Sequence, residues 1–129
     1  MDEQKRLANV NAFIHVIGDH GRRFFHHQGR HGRMELDQRG RVWFIDHYSQ
    51  RRIYTHYPYR WRGFTSGGTL KSLVELFRDH IKKGHLLNSR YFDHSPDRCG
   101  GHPWGYPSSD LEIVKDAALR LGIMARAEK

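Results

Sequence analysis

Arginine and aromatic residues are concentrated in residues 41–64, whose sequence is RVWFIDHYSQRRIYTHYPYRWRGF. Across residues 22–62 all ten cations are arginine, against three carboxylates, and the six lysines of the chain lie elsewhere. Arginine binds phosphate through paired hydrogen bonds and stacks on flat rings, whereas lysine acts mainly as a point charge. The bias predicts a planar or phosphate-bearing partner. A basic face that is only solvated is the competing interpretation.

An antiparallel hairpin is predicted within this stretch, because two segments rich in β-branched and aromatic residues flank a polar turn. Side chains alternate between the two faces of a strand. If Val42 and Phe44 face the helices, the neighbouring side chains face the other way. Those side chains are Arg41, Trp43 and Ile45.

A register that sets Arg52, Tyr54 and His56 beside Arg41 and Trp43 builds one face of arginine, flat rings and histidine. On such platforms rings stack on bases, and arginines follow the phosphates of single-stranded nucleic acid. Packing of the two rings in the core is the alternative interpretation. The sequence predicts a nucleic-acid interface formed by Arg22, Arg23, Arg41, Trp43, Arg51, Arg52, Tyr54, His56, Arg60, Trp61 and Arg62.

Trp61 is the aromatic residue that folding explains least. It lies between Arg60 and Arg62, in a segment that proline and glycine interrupt too much for a strand ladder. We expect its ring at the edge of the sheet, where it can stack on a base while the arginines hold phosphates. The alternative is that the Trp61 ring packs at the end of the hydrophobic core.

Gly67, Gly68 and Thr69 directly precede the helix predicted at residues 70–83. The first backbone N–H groups of a helix have no partner within it and can hold an anion. The three residues are therefore a candidate anion-binding site, although the lysine of a P-loop does not follow them. A turn followed by a helix cap is the alternative.

Two groups of residues have the ligand types of a metal site. His94, Cys99 and His102 give the spacing H-x4-C-x2-H, but structural zinc normally takes four ligands, so this set is one short. The second group is His20, His26, His27 and His31. Eleven histidines in the chain make chance clusters common. We therefore predict no bound metal and no cofactor, and we assign no catalytic residue, since HExxH and Gly-x-Ser-x-Gly motifs do not occur.

These candidate residues are positioned by a predicted α+β fold. Apolar residues recur at helical spacing in three segments, residues 2–17, 70–83 and 109–121. β-forming residues fill four others, residues 22–27, 33–36, 41–45 and 52–56, with turns at 28–32, 37–40 and 46–50. Gly18 and Gly84 are expected to end the first two helices. The sequence predicts an antiparallel β-meander of about four strands, with the helices packed mainly on one face.

A single domain is expected over residues 1–129, with a loop at about 95–108 and a frayed tail at 125–129. The chain has a mass of 15.3 kDa, a mean hydropathy of -0.81 and a formal net charge of +8. No apolar run approaches the roughly 20 residues that span a bilayer, and the N-terminus lacks a secretory signal. The single cysteine, Cys99, excludes an internal disulfide. We therefore expect a cytoplasmic protein without a membrane partner.

Five segments occur in succession: GRVWFID, RRIYTHY, WRGFTSGGTL, WGY and LRLGI. This succession resembles small, mostly uncharacterised proteins carried by bacteriophages and other mobile genetic elements, and it covers most of the chain. The resemblance implies accessory functions, such as handling nucleic acid or blocking host defences. The resemblance identifies no catalytic residue in this chain.

The leading hypothesis is a small, basic, non-enzymatic accessory protein that binds nucleic acid, with single-stranded DNA or RNA favoured. The alternative is a protein-interaction inhibitor of a host defence or nucleic-acid-processing complex. Its basic face would then dock on an acidic or nucleic-acid-binding host protein. A metal-dependent nuclease is the third hypothesis.

Overall fold

The computed structural model describes residues 2–20, 26–27, 29–46, 51–56, 69–87 and 108–124. The elements there are α1 (Glu3–His20), β1 (His26–His27), β2 (Arg30–His31), β3 (Arg33–Leu36), β4 (Val42–Ile45), β5 (Arg52–Tyr54), α2 (Thr69–Lys83) and α3 (Ser108–Arg120). The predicted α+β class is confirmed. The predicted tail, and all but the last residue of the predicted loop at 95–108, lie outside the described residues.

The structure corrects the predicted end of α1. The helix does not stop at Gly18 but continues to His20, with Gly18 buried inside it. A glycine within a helix costs roughly 0.5–1 kcal/mol relative to alanine. Burial of the adjacent Ile17 offsets this cost, because fully burying such a side chain contributes about 1.5–3 kcal/mol.

Three strands form the main antiparallel sheet, in the order β3-β4-β5. β3 and β4 pair Met34 with Phe44, and the turn between these strands lies where the sequence predicts it. Gly40 closes that turn with a φ of 74°, and its N–H donates to the carbonyl of Asp37 at 3.0 Å. Glycine suits this left-handed conformation because it has no Cβ to clash.

A separate two-stranded sheet holds β1 and β2. His27 pairs with Arg30, and Arg30 and His31 form a strand within the segment predicted as a turn. The predicted turn at 28–32 is therefore too long. Gly29, directly before β2, has a φ of 78°, a conformation that glycine adopts without a steric clash.

The helices and one face of the main sheet share one apolar core. α1 contacts β3, α2 contacts β4, and α3 packs on α1. The β4 side chains Val42 and Phe44 are fully buried. The rings of Phe13 and Phe77 join α1 to α2 edge to face, with centroids 5.8 Å apart. The helices thus cover the face of Val42 and Phe44, as predicted, and Trp43 lies on the other face.

The side-chain amide of Asn11 fastens α1 to the edge of the main sheet. Its Nδ2 donates to the Met34 carbonyl at 3.0 Å, and its Oδ1 accepts the Met34 N–H at 2.7 Å. Because β3 is an edge strand, the amide satisfies two backbone groups that another strand would otherwise bind. This link fixes the strand on which one side of the candidate site is built.

Candidate nucleic-acid interface

The outer face of the main sheet brings together five of the predicted interface residues. β4 and β5 pair Trp43 with Tyr54, which is the register that the prediction required. At the end of β5 the Val42 N–H donates to His56 Nε2 at 3.1 Å, so His56 lies beside the start of β4. We call this surface the arginine-aromatic face and define it by Arg41, Trp43, Arg52, Tyr54 and His56.

The two central rings of this face are flanked by guanidinium groups. Trp43 and Tyr54 lie with their centroids 4.9 Å apart. The guanidinium carbon of Arg52 lies 4.1 Å from the Trp43 centroid, and that of Arg41 lies 5.9 Å from Trp43 and 6.0 Å from Tyr54. A cation within about 6 Å of a ring face is attracted to it. The rings therefore hold both guanidinium groups against the sheet.

Asp37 orients the Trp43 ring and one of these arginines. Its Oδ2 accepts the indole Nε1–H of Trp43 at 2.9 Å and the Nε–H of Arg41 at 2.7 Å. Its Oδ1 accepts the backbone N–H groups of Arg39 and Arg41. The bond from Trp43, followed by those from Arg41 and Arg39, holds the pKa of Asp37 well below its usual range despite partial burial. The carboxylate is thus charged and locked in place.

Glu35 forms ion pairs with two arginines, Arg33 and Arg52. Its Oε2 lies 3.2 Å from Arg33 Nε, and its Oε1 lies 3.6 Å from Arg52 Nε. Strand alternation puts Arg33 and Glu35 on the same side of the sheet as Trp43, which is the cross-strand partner of Glu35. The described part of this surface therefore combines three guanidinium groups with two carboxylates.

Glu35 and Asp37 were not predicted to belong to this face. The alternation of side chains in β3 is a signal that could have placed Glu35 there. No local pattern reveals the bond from Asp37 to the indole, because it joins a turn residue to a ring six positions further along the chain.

Two further residues mark the limits of the face. Ile45, expected on the same side as Trp43, is 5% exposed, so its side chain is buried and not available to a partner. Arg51, also predicted in the interface, is exposed directly before β5.

The family model for YoqU matches residues 1–129. The chain belongs to the YoqU family. No curated protein and no solved structure matches it. The YoqU match spans every segment on which the resemblance to small proteins of mobile elements is based, and it assigns no activity.

Several predicted site residues lie outside the described residues. They are Arg22, Arg23, Arg60, Trp61, Arg62, Gly67, Gly68, His94, Cys99 and His102. Thr69, the last residue of the candidate anion site, is the first residue of α2. The predictions for these residues stand as they were made from the sequence.

Part of the predicted histidine cluster does lie in the described chain. His31 Nε2 is 3.2 Å from the Asp19 carboxylate, and its ring stacks on His15 with centroids 3.9 Å apart. Within the described ranges no three histidine, cysteine, aspartate or glutamate side chains could hold a metal ion. The described helices are also each too short or too polar to cross a membrane.

Proposed function

We propose that this YoqU-family chain is a small, non-enzymatic accessory protein that binds single-stranded nucleic acid on its arginine-aromatic face. The observation that carries the proposal is the pair of half-buried rings, Trp43 and Tyr54, with the guanidinium groups of Arg41 and Arg52 lying over them. Flat rings that bases can stack on, with arginines beside them for phosphates, are the two requirements of single-strand binding.

The ion pairs leave the arginines able to bind phosphate. In each pair the carboxylate oxygen lies at Nε, as in Arg41 with Asp37 and Arg52 with Glu35. A guanidinium group carries further N–H donors on its two terminal nitrogens, arranged as a fork. A phosphate can therefore be bound at the outer side while the carboxylate fixes the orientation of the group.

The Arg52 guanidinium also offers a stacking surface. Trp43 supports it from one side, with the guanidinium carbon 4.1 Å from the ring centroid, so the opposite side is the one that can meet a base. RNA-binding proteins stack splayed bases on arginine planes as well as on aromatic rings. In this arrangement Arg52 supports a base through its flat side and binds a phosphate through its outer N–H groups, and Arg41 contacts the neighbouring phosphate.

The proposed role in a mobile element and the proposed cellular compartment are inferred from the sequence. Segments that resemble proteins of bacteriophages and other mobile elements favour an accessory role in such an element. The single cysteine fits the reducing cytoplasm.

A second candidate function is a protein-interaction inhibitor of a host defence or nucleic-acid-processing complex. One observation favours it: Glu35 and Asp37 offset much of the positive charge of the face. Tryptophan, tyrosine and arginine are also the residues that dominate protein–protein hot spots. An acidic host protein would meet the same rings and guanidinium groups.

Equilibrium titrations with single-stranded DNA, duplex DNA and RNA at two salt concentrations test the proposal. We expect single strands to bind more tightly than duplex, because stacking needs exposed base faces, and to bind more weakly at the higher salt. Failure to bind any of the three at low salt would refute the proposal and favour the protein partner.

A further inference from the structure

A cleft of about 330 Å³ lies between His56, two residues after β5, and the second half of α2. Its lining residues are His56, Arg78, Asp79, Lys82 and Lys83. Three of them are cationic and one is a carboxylate. The cleft begins at His56, the last residue of the arginine-aromatic face.

The walls of the cleft are held in place by contacts across the fold. Arg78 donates through Nη1 to the carbonyl of Thr55, and its Nε lies 3.0 Å from the Asp79 carboxylate. Lys82 pairs with Glu3 of α1. Lys83 is exposed, with no ion pair to another described residue. The cleft thus has one fixed guanidinium group and one ammonium group available to a ligand.

His56 contributes a neutral donor to this cleft. Because its Nε2 accepts the Val42 N–H at 3.1 Å, the hydrogen of the neutral ring lies on Nδ1. Burial lowers the pKa of His56, and the positive charges of Arg78 and Lys82 lower it further. The positive potential that disfavours an imidazolium here favours an anion.

The C-terminal end of α2 works against this potential but does not reverse it. A helix end carries a partial charge equivalent to about half an electron. Three full cations outweigh that partial charge together with the carboxylates of Asp79 and of Glu3, the partner of Lys82.

The arginine-aromatic face leads into the cleft. The ring centroids of Trp43 and Tyr54 are 4.9 Å apart, and those of Tyr54 and His56 are 5.3 Å apart. His56 is thus the next ring beyond Tyr54, within reach of a single strand whose bases contact the first two rings. We propose that the cleft between His56 and α2 binds a backbone phosphate of the single strand held on the arginine-aromatic face. This inference rests on the proposed function.

The test compares two lysine variants in titrations with one single-stranded DNA at several salt concentrations. Each phosphate neutralised on a single strand contributes about −0.7 to the slope of log K against log salt. Lys83→Gln should therefore make the slope less negative by about 0.7 and weaken binding at low salt. The control, Lys5→Gln, removes the same charge from an exposed position on α1 and should leave the slope unchanged.

The outcomes separate this inference from the proposed function. If the wild-type protein binds single strands and Lys83→Gln keeps the wild-type slope, the phosphate does not occupy the cleft, and the inference is overturned alone. If the wild-type protein binds no single strand, the proposed function fails and the inference with it.

The imidazole of His56 gives a second readout. Its NMR titration should shift to higher pH when the strand is bound, because an anion nearby favours the charged ring. An unchanged titration in a complex that does form would place the phosphate elsewhere.

Discussion

Replacing Glu35 by glutamine should tighten the binding of single-stranded nucleic acid while slightly lowering the stability of the fold. On the arginine-aromatic side of the sheet, Glu35 accepts a hydrogen bond from Arg33 and forms an ion pair with Arg52. Glutamine keeps the size of the side chain but removes its charge. Both guanidinium groups then act on a phosphate without a competing carboxylate.

The magnitude follows from the geometry. Two unit charges 4 Å apart interact by about 1 kcal/mol in water. Arg52 Nε and Glu35 Oε1 are 3.6 Å apart, at side chains 48% and 35% exposed, and such surface pairs retain about 0–1 kcal/mol. Glu35 makes two such pairs, with Arg33 and with Arg52, so stability should fall by no more than about 2 kcal/mol. The gain in affinity has the same limit, which is about 30-fold in Kd.

Titration with single-stranded DNA and urea unfolding measure the two effects on one sample. The matched control is Asp116→Asn, which removes one exposed carboxylate from α3. If both variants bound the strand more tightly, the change in net charge alone would explain the effect. A weaker complex with Glu35→Gln alone would refute the reasoning, because the carboxylate would then belong to the binding site.

Three further results are expected. Trp43→Ala should weaken single-strand binding by about 1–3 kcal/mol, the value of one stacked base, and a loss of stability of about 3–5 kcal/mol without a change in binding would instead mark the ring as core. Asn11→Ala should lower the free energy of unfolding by about 1–3 kcal/mol in a denaturant titration, because it strips the partners from two backbone groups of Met34; an unchanged midpoint would contradict this. Burial lowers the pKa of His80, so the unfolded chain binds a proton at higher pH than the folded chain, and stability should decline as pH falls below about 6.5. Urea midpoints across that range test the last result, and His80→Leu should flatten the decline.

Periodic patterns predicted the elements of this fold because each one buries a single face. Helical spacing located α1 and α2. β-forming residues and the turn at Gly40 located the main sheet, in whose strands side chains alternate between the two faces. The same alternation placed Trp43 and Tyr54 side by side. These features depend on residues close together in sequence, where local sterics and burial decide the structure.

The features that the sequence did not predict depend on contacts between distant residues. Asn11 binds β3 from a helix 23 residues earlier in the chain. Glu35 meets Arg52 only after the strands have paired. Gly18 remains helical because burial outweighs its local preference. Charge counts did not predict the carboxylate–arginine pairs of the described face, since strand pairing and the turn bring those groups together.

The location of binding is the central claim, and paired arginine variants test it most directly. One variant carries Arg41→Gln with Arg52→Gln, and its control carries Arg30→Gln with Arg120→Gln at exposed positions elsewhere. Both lose the same net charge. If the face binds two phosphates through these arginines, the first variant should make the slope of log K against log salt less negative by about 1.4. The control should keep the wild-type slope. Binding at the arginine-aromatic face would be contradicted if the slope changed equally in the two variants. It would also be contradicted if the first variant kept the wild-type slope.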